Sequence, residues 1–152
     1  MCTHYRFDAE WVVHAGADAV RALVRDVPGY GAWWPGVRVV GDATTAAGPA
    51  ARIEVRAPAG YRIRCTIAAE IVEPDELRAR ITGDLDGWVA WRLDAEPAVD
   101  GAGTRVRFTQ EVEVRSRLLR LASPLLHRQL AGQHDRVMRA AERGMRRVFE
   151  PA

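Results

Sequence analysis

The chain has 152 residues, 48% hydrophobic and 28% charged, with a formal net charge of +2. That is the length of one ordinary domain with a single core, and the composition excludes intrinsic disorder. All 22 basic residues are arginine, against 20 acidic ones, so despite a pI near 8.8 there is no broad cationic excess for nucleic acid. The absence of lysine removes Schiff-base and P-loop lysine chemistry. No run of about 18 apolar residues occurs, so no transmembrane segment is expected. Residues 1–6 are polar and carry no signal-peptide apolar region, which points to a cytoplasmic setting. The two cysteines, Cys2 and Cys65, have no CxxC or zinc spacing. No metal and no cofactor are implied.

In chain order, Tyr5, Phe7, Ala9, Trp11 and Val13 alternate with polar Arg6, Asp8 and Glu10. This predicts a strand with one solvated face. After Gly16, Val20, Leu23, Val24 and Val27 recur three and four apart until Pro28-Gly29, which predicts a short amphipathic helix. The aromatic, proline-broken segment 30–35 predicts a turn or a second short helix. Short strands then follow over 37–40 and over 52–57, the latter with Ile53 and Val55 inward. A longer one covers 61–72 with Ile63, Cys65, Ile67, Ala69 and Ile71 inward. Leu77, Ala79 and Ile81 face inward on the next strand; then Val89, Trp91, Leu93 and Ala95; then Val106, Phe108, Gln110, Val112 and Val114. Turns are expected at 58–60, 73–76, 83–87 and 100–103, so neighbouring strands should pair as an antiparallel meander.

From about residue 115 the period becomes helical. Leu119, Leu126, Leu130, Val137, Ala141, Met145 and Val148 fall on one side, with Arg128, Arg136, Arg139, Arg143 and Arg146 opposite. The arginine side reads as a solvated face, or alternatively as a contact for an acidic partner. Ser123-Pro124 is a helix-start signal, so the main helix is expected from near Ser123, with 118–121 as a lead-in turn. A sheet with one polar face must bury the other against helices, and the C-terminal helix is the one long element available. The expected architecture is an α+β domain over residues 1–152. A curved antiparallel sheet of about six to seven strands wraps around a long C-terminal helix, with two short helices after the first strand. An open sheet edge is a surface on which a second copy could pair into a homodimer.

This order of elements resembles the helix-grip fold of the START/Bet v 1-like superfamily. Within it the chain is similar to bacterial polyketide cyclase/dehydrase-type (SRPBCC) proteins. The residues that carry the resemblance are the opening strand with a helix from Ala17 and the segment Tyr30-Gly31-Ala32-Trp33-Trp34-Pro35. Gly83-Asp84-Leu85-Asp86-Gly87-Trp88 with Trp91, Gly103-Thr104-Arg105-Val106 and Gln110-Glu111-Val112-Glu113-Val114 add to it. The resemblance implies a deep apolar cavity between sheet and long helix. It carries over no catalytic motif, because the fold serves many functions.

Few polar side chains point inward. Gln110 lies between Phe108 and Val112 on the inward face of the last strand, and His134 lies about 30° from the centre of the helix stripe. Tyr61, Cys65 and Trp91 share inward strand parity, while His127 and Gln133 lie at the stripe edges. With Phe108, Leu130, Val137, Met138, Trp33 and Trp34 as apolar neighbours, Tyr61, Cys65, Trp91, Gln110 and His134 form the candidate ligand-binding set. Buried His and Gln side chains need partners. Either they pin helix to sheet, or they hold a ligand carbonyl or hydroxyl in an apolar pocket. His134 is also the one catalytic candidate, as an acid–base group working alpha to a carbonyl. No inward carboxylate orients it, since Asp135 points about 100° away. Trp33 and Trp34 either cap the pocket mouth or pack beneath the short helix, and Trp88 has outward parity.

Three functions are compatible with these features. One is a binding module for a hydrophobic small molecule of polyketide, lipid or quinone type. The second is a cyclase or dehydratase acting on a poly-carbonyl substrate. The third is an interaction protein whose five tryptophans fill the interior and leave no cavity.

Overall fold

The computed structural model describes residues 4–43, 46, 48–56, 62–73, 75–96, 103–115 and 117–150, with the backbone alone at 71, 72 and 117–131. Seven strands are present: β1 (His4–Val13), β2 (Val37–Asp42), β3 (Ala50–Arg56), β4 (Arg62–Val72), β5 (Glu76–Gly83), β6 (Leu85–Ala95) and β7 (Thr104–Val114). Helix α1 (Ala17–Arg25), a 3-10 turn (Val27–Gly29) and the one-turn α2 (Tyr30–Trp33) follow β1, and α3 (Arg117–Phe149) ends the chain. The sheet order is β1-β7-β6-β5-β4-β3-β2, antiparallel throughout. Strands β2 to β7 form the expected meander. Strand β1 joins it through β7, so the α1–α2 segment carries the chain from one sheet edge to the other.

Strand alternation decides which face is buried. In one row across the sheet, Ala69, Ala79, Val89, Gln110 and Phe7 are successive register partners; in another, Leu77, Trp91, Phe108 and Ala9 are. Every member of both rows has inward parity. The opposite face carries charge, including Glu10 with Arg105 and Arg107, and Arg80 with Asp86. Such exposed pairs contribute little to stability. Their role is to keep that face wet. Trp88 is on this outer face as its parity requires, with the Arg78 guanidinium 4.3 Å from its ring centre.

Four expectations are corrected. Helix α3 does not begin at Ser123 but runs unbroken from Arg117, with Pro124 about two turns inside it. The stretch 117–122 consists of strong helix formers, which outweigh the local start signal, and Pro124 removes one N–H donor without ending the helix. The turn expected over 83–87 shrinks to Asp84, because Gly83 takes φ +118° and lets β6 begin at Leu85. Ala95 and Val148 are exposed, Val148 by 46%, because each lies at the end of its element. Phe149 packs against the core in place of Val148. Leu119, Leu126, His127 and Arg128 of the helix pattern, and the turns at 58–60 and 100–102, lie outside the described residues or side chains.

The C-terminal half of α3 is held by the end of β1 and by α2. Arg146 Nη2 donates to the Val12 carbonyl, and the His14 amide donates to Glu150. The Trp11 indole donates to Met145 Sδ at 3.4 Å. Helix α2 lies so close that a Cβ at Gly144 would collide with the Trp33 carbonyl oxygen and stand 3.1 Å from Pro35 Cδ. Gly144→Ala therefore is expected to cost about 2–3 kcal/mol in urea unfolding, since neither backbone can yield freely. Gly132→Ala, with open space around its Cβ on the exposed face of the same helix, is expected to stabilise by up to about 1 kcal/mol. Equal effects for the two would contradict this packing.

Candidate functional site

Between the inward sheet face and α3 lies a cavity of about 130 Å³. Strands β3 to β7 supply most of its wall, including Ile53, Cys65, Ile81, Val89 and Val112. Phe7 of β1 and Val137 and Met138 of α3 close it from the other side, with Trp34 at the end of α2. The described side chains leave this space open, against the reading of a fully packed core. The partly exposed lining residues Val55, Ile63, Gln133 and Val137 mark where the cavity approaches solvent.

Of the sequence candidates, His134, Gln110, Trp91, Cys65, Val137, Met138, Phe108 and Trp34 all line this one space. Tyr61 lies outside the described residues, and for Leu130 the backbone alone is described. Trp33 is corrected: it is 6% exposed and packs behind Trp34, away from the lining. The two rings stack with centroids 5.4 Å apart, so neighbouring residues of one helical turn take separate roles. The Trp33 indole N–H is buried without a partner among the described residues. Tyr30, Phe7 and Val89 line the cavity and were not singled out from sequence. The two strand residues could have been found by parity; Tyr30 lies in a segment with no resolvable period.

The aromatic wall is self-supporting. Trp91, 1% exposed, meets Phe108 at 4.8 Å and Trp34 at 5.8 Å, both edge to face. Each such pair is worth about 0.5–1.5 kcal/mol beyond its burial. Tyr30 donates its hydroxyl to the Val24 carbonyl and accepts from the Trp91 indole. Burial raises its pKa, so it stays a hydroxyl. The Trp34 indole donates to the Val137 carbonyl at 2.9 Å, and Gln133 Nε2 donates to the Arg56 carbonyl at 2.8 Å. These two bonds tie α3 to α2 and to the end of β3.

The polar centre is His134 with Gln110. His134 Nε2 stands 3.0 Å from Gln110 Oε1, joining α3 to β7. An oxygen facing Nε2 places the ring proton there and leaves Nδ1 as an acceptor. Phe7, the register partner of Gln110, lies flat on the imidazole with centroids 3.8 Å apart and planes 10° from parallel. The pair thus joins helix to sheet and also lines the cavity. Burial among these groups pulls the His134 pKa down to about 4, opposed weakly by the Asp135 charge. Burial likewise pushes the Cys65 thiol up to about 11, against backbone hydrogen bonding from Leu85, so this cysteine is a small apolar group and not a nucleophile.

The imidazole is neutral in the folded protein at pH 7. In the unfolded chain it protonates near pH 6.5. Between pH 6.5 and about 4 the unfolded state therefore binds a proton that the native state does not, and stability falls as pH falls. The expected loss is on the order of 3 kcal/mol, complete by about pH 4. His134→Phe should abolish that part of the pH dependence in denaturant titrations. A ring titration observed by NMR near pH 6.5 would contradict the buried, neutral placement.

Residues 4–150 match the family model described as "Polyketide cyclase / dehydrase and lipid transport". No curated protein matches the chain in sequence. Among solved structures it is similar to TTHA0849 of Thermus thermophilus, at 20% identity and a TM-score of 0.72, covering 93% of this chain and 94% of that one. It is similar to a START superfamily protein of Mycobacterium smegmatis, at 17% identity and 0.66, covering 92% and 95%. A third is the Zhui aromatase/cyclase of Streptomyces sp. R1128, at 17% and 0.67, covering 97% of each. These likenesses concern the fold, which is the helix-grip fold. With a family model matching nearly its whole length, the chain belongs to the polyketide cyclase/dehydrase and lipid-transport family.

Proposed function

We propose that this chain binds a neutral hydrophobic small molecule, of polyketide, lipid or quinone type, in the cavity between the sheet and α3. The observation that carries the reading is the make-up of the wall. Apart from Arg56, whose carbonyl is held by Gln133 and whose position has outward strand parity, no charged residue lines the cavity among the described residues. An ionised ligand would lose its hydration there without a counter-charge. A neutral apolar one would gain roughly 25 cal/mol for each Å² it buries. A volume near 130 Å³ accommodates about one ring, by comparison with an apolar cavity of roughly 150 Å³ that takes up benzene. His134 and Gln110 would meet the ligand's polar group, with Trp91, Phe108, Trp34, Cys65, Val137 and Met138 as apolar contacts.

A cyclase or dehydratase is the second reading, with one observation in its favour: an imidazole that is neutral at pH 7 and can accept a proton. Two observations weigh against it. No carboxylate among the described lining residues stands ready to stabilise an imidazolium, and Nε2 is already engaged by Gln110. Holding is thus favoured over proton transfer.

Thermal unfolding against aromatic polyketides, fatty acids and quinones tests the reading. At a ligand concentration of about 100 Kd, stabilisation of about 2.7 kcal/mol is expected, a rise in Tm of roughly 5–10 °C. The shift should shrink in His134→Ala. No shift with any compound, in protein shown to be folded, would overturn it.

A further inference from the structure

Arginine is used in two different ways on this surface. On the outer sheet face it is neutralised: Arg64 by Glu54, Arg80 by Asp86, Arg105 by Glu10 and Glu96, and Arg107 by Glu10. On α3 it is not. Arg136, Arg139, Arg143 and Arg147 are all exposed, and none forms an ion pair among the described residues. At about 100° per residue they fall within an arc of about 80°, on a row about 17 Å long. Arg139, Arg143 and Arg147 are four apart, a spacing at which like charges repel, so the row is unfavourable in the isolated protein. The acids nearest to it do not relieve it. Glu142 and Glu150 both turn to Arg146 on the flank, and Asp135 supplies only its carbonyl oxygen, to Arg139.

We propose that this outward face of α3 docks on an anionic lipid bilayer. Charge complementarity sets the sign of the partner. Two features favour a bilayer over an acidic protein. Toward the start of α3 the same period meets Leu118, Leu121 and Leu125 in the sequence, each eighteen residues before Arg136, Arg139 and Arg143 respectively. Eighteen residues are about five full turns, so leucine and arginine positions share one helical face, a pattern suited to a headgroup boundary. The second feature is the cavity mouth. Gln133 and Val137, where the cavity approaches solvent, flank Arg136 on α3. Arg56, whose carbonyl Gln133 holds, is exposed there and also forms no ion pair among the described residues. A docked protein therefore holds its mouth near the bilayer, where neutral apolar molecules dissolve. That use of docking rests on the cavity being a binding site; the docking itself does not. With a formal net charge of only +2, the attraction depends on this face and not on overall charge.

Co-sedimentation with vesicles tests the proposal. One set is phosphatidylcholine alone, the other equal parts of phosphatidylcholine and phosphatidylglycerol. The protein is expected to sediment with the charged vesicles only, and to be released as salt rises from about 0.05 to 0.5 M. Each arginine near such a surface contributes about fivefold to partitioning. Arg139→Gln combined with Arg143→Gln should therefore weaken binding about thirtyfold. Arg64→Gln combined with Arg92→Gln removes the same charge from the outer sheet face and should weaken it less than about threefold. Circular dichroism would confirm that both double variants are folded. Failure to sediment with charged vesicles at low salt would overturn the proposal, as would equal binding to phosphatidylcholine alone or no response to salt. Equal weakening by the two double variants would also overturn it, by showing that net charge acts and not this face. Retention on immobilised polyglutamate without vesicle binding would overturn it in favour of an acidic protein. The vesicles carry no cavity ligand, so these outcomes are separate from the thermal shifts that test the cavity.

Discussion

A mismatch of widths governs this molecule. Seven strands spaced about 4.8 Å apart make a sheet roughly 29 Å across. One face carries alternating charge and the other is apolar, so the apolar face must be covered. A single helix with its side chains is about 10–12 Å wide. The shortfall is met by curving the sheet and by packing Tyr30, Trp33 and Trp34 of α2 beside α3. What neither device covers is the cavity. The hollow is thus a consequence of one long helix against a wide sheet, and its apolar walls follow from the strand alternation that directs Ile53, Cys65, Ile81, Val89 and Val112 into it.

Within that hollow, the hydrogen bond between His134 and Gln110 joins α3 to β7, between two side chains that both line the cavity. Its neighbours decide its chemistry. Phe7 against the imidazole and the Trp91–Phe108 wall deny solvent to a charged ring, so the histidine is a hydrogen-bonding group first and an acid–base group only with difficulty. Burial likewise keeps Cys65 a protonated thiol. A family that includes cyclases in its description thus has here a member whose described cavity lining holds a histidine and no carboxylate.

Much of this was legible in the amino-acid sequence, because it depends on local periodicity. Period two placed Ile63, Cys65 and Ile67 on one face and Arg78 and Arg80 on the other, and the helical period set His134 close to the apolar stripe of its helix. What was not legible depends on contacts distant in sequence. Trp33 and Trp34 are adjacent on a single helical turn, and only the approach of α3 at Gly144 decides which is buried behind and which faces the cavity. The Phe7–His134 stack requires the register that sets Phe7 opposite Gln110. The Ser123-Pro124 start signal was misleading because a cap motif is local, whereas helix length reflects the whole run from Arg117. Ala95 and Val148 follow their periods correctly but lie where the covering layer has ended.

The central claim is that a small neutral molecule enters the space beneath α3 and touches the sheet floor. The most direct test is an isotope-filtered NOE spectrum of methyl-labelled protein mixed with cumene. The expected contacts run from the ligand ring to the methyl groups of Ile81, Val89 and Val112, which line the cavity. Contacts confined to the exposed methyls of Val40 and Val148, or none at all at saturating ligand, would contradict it.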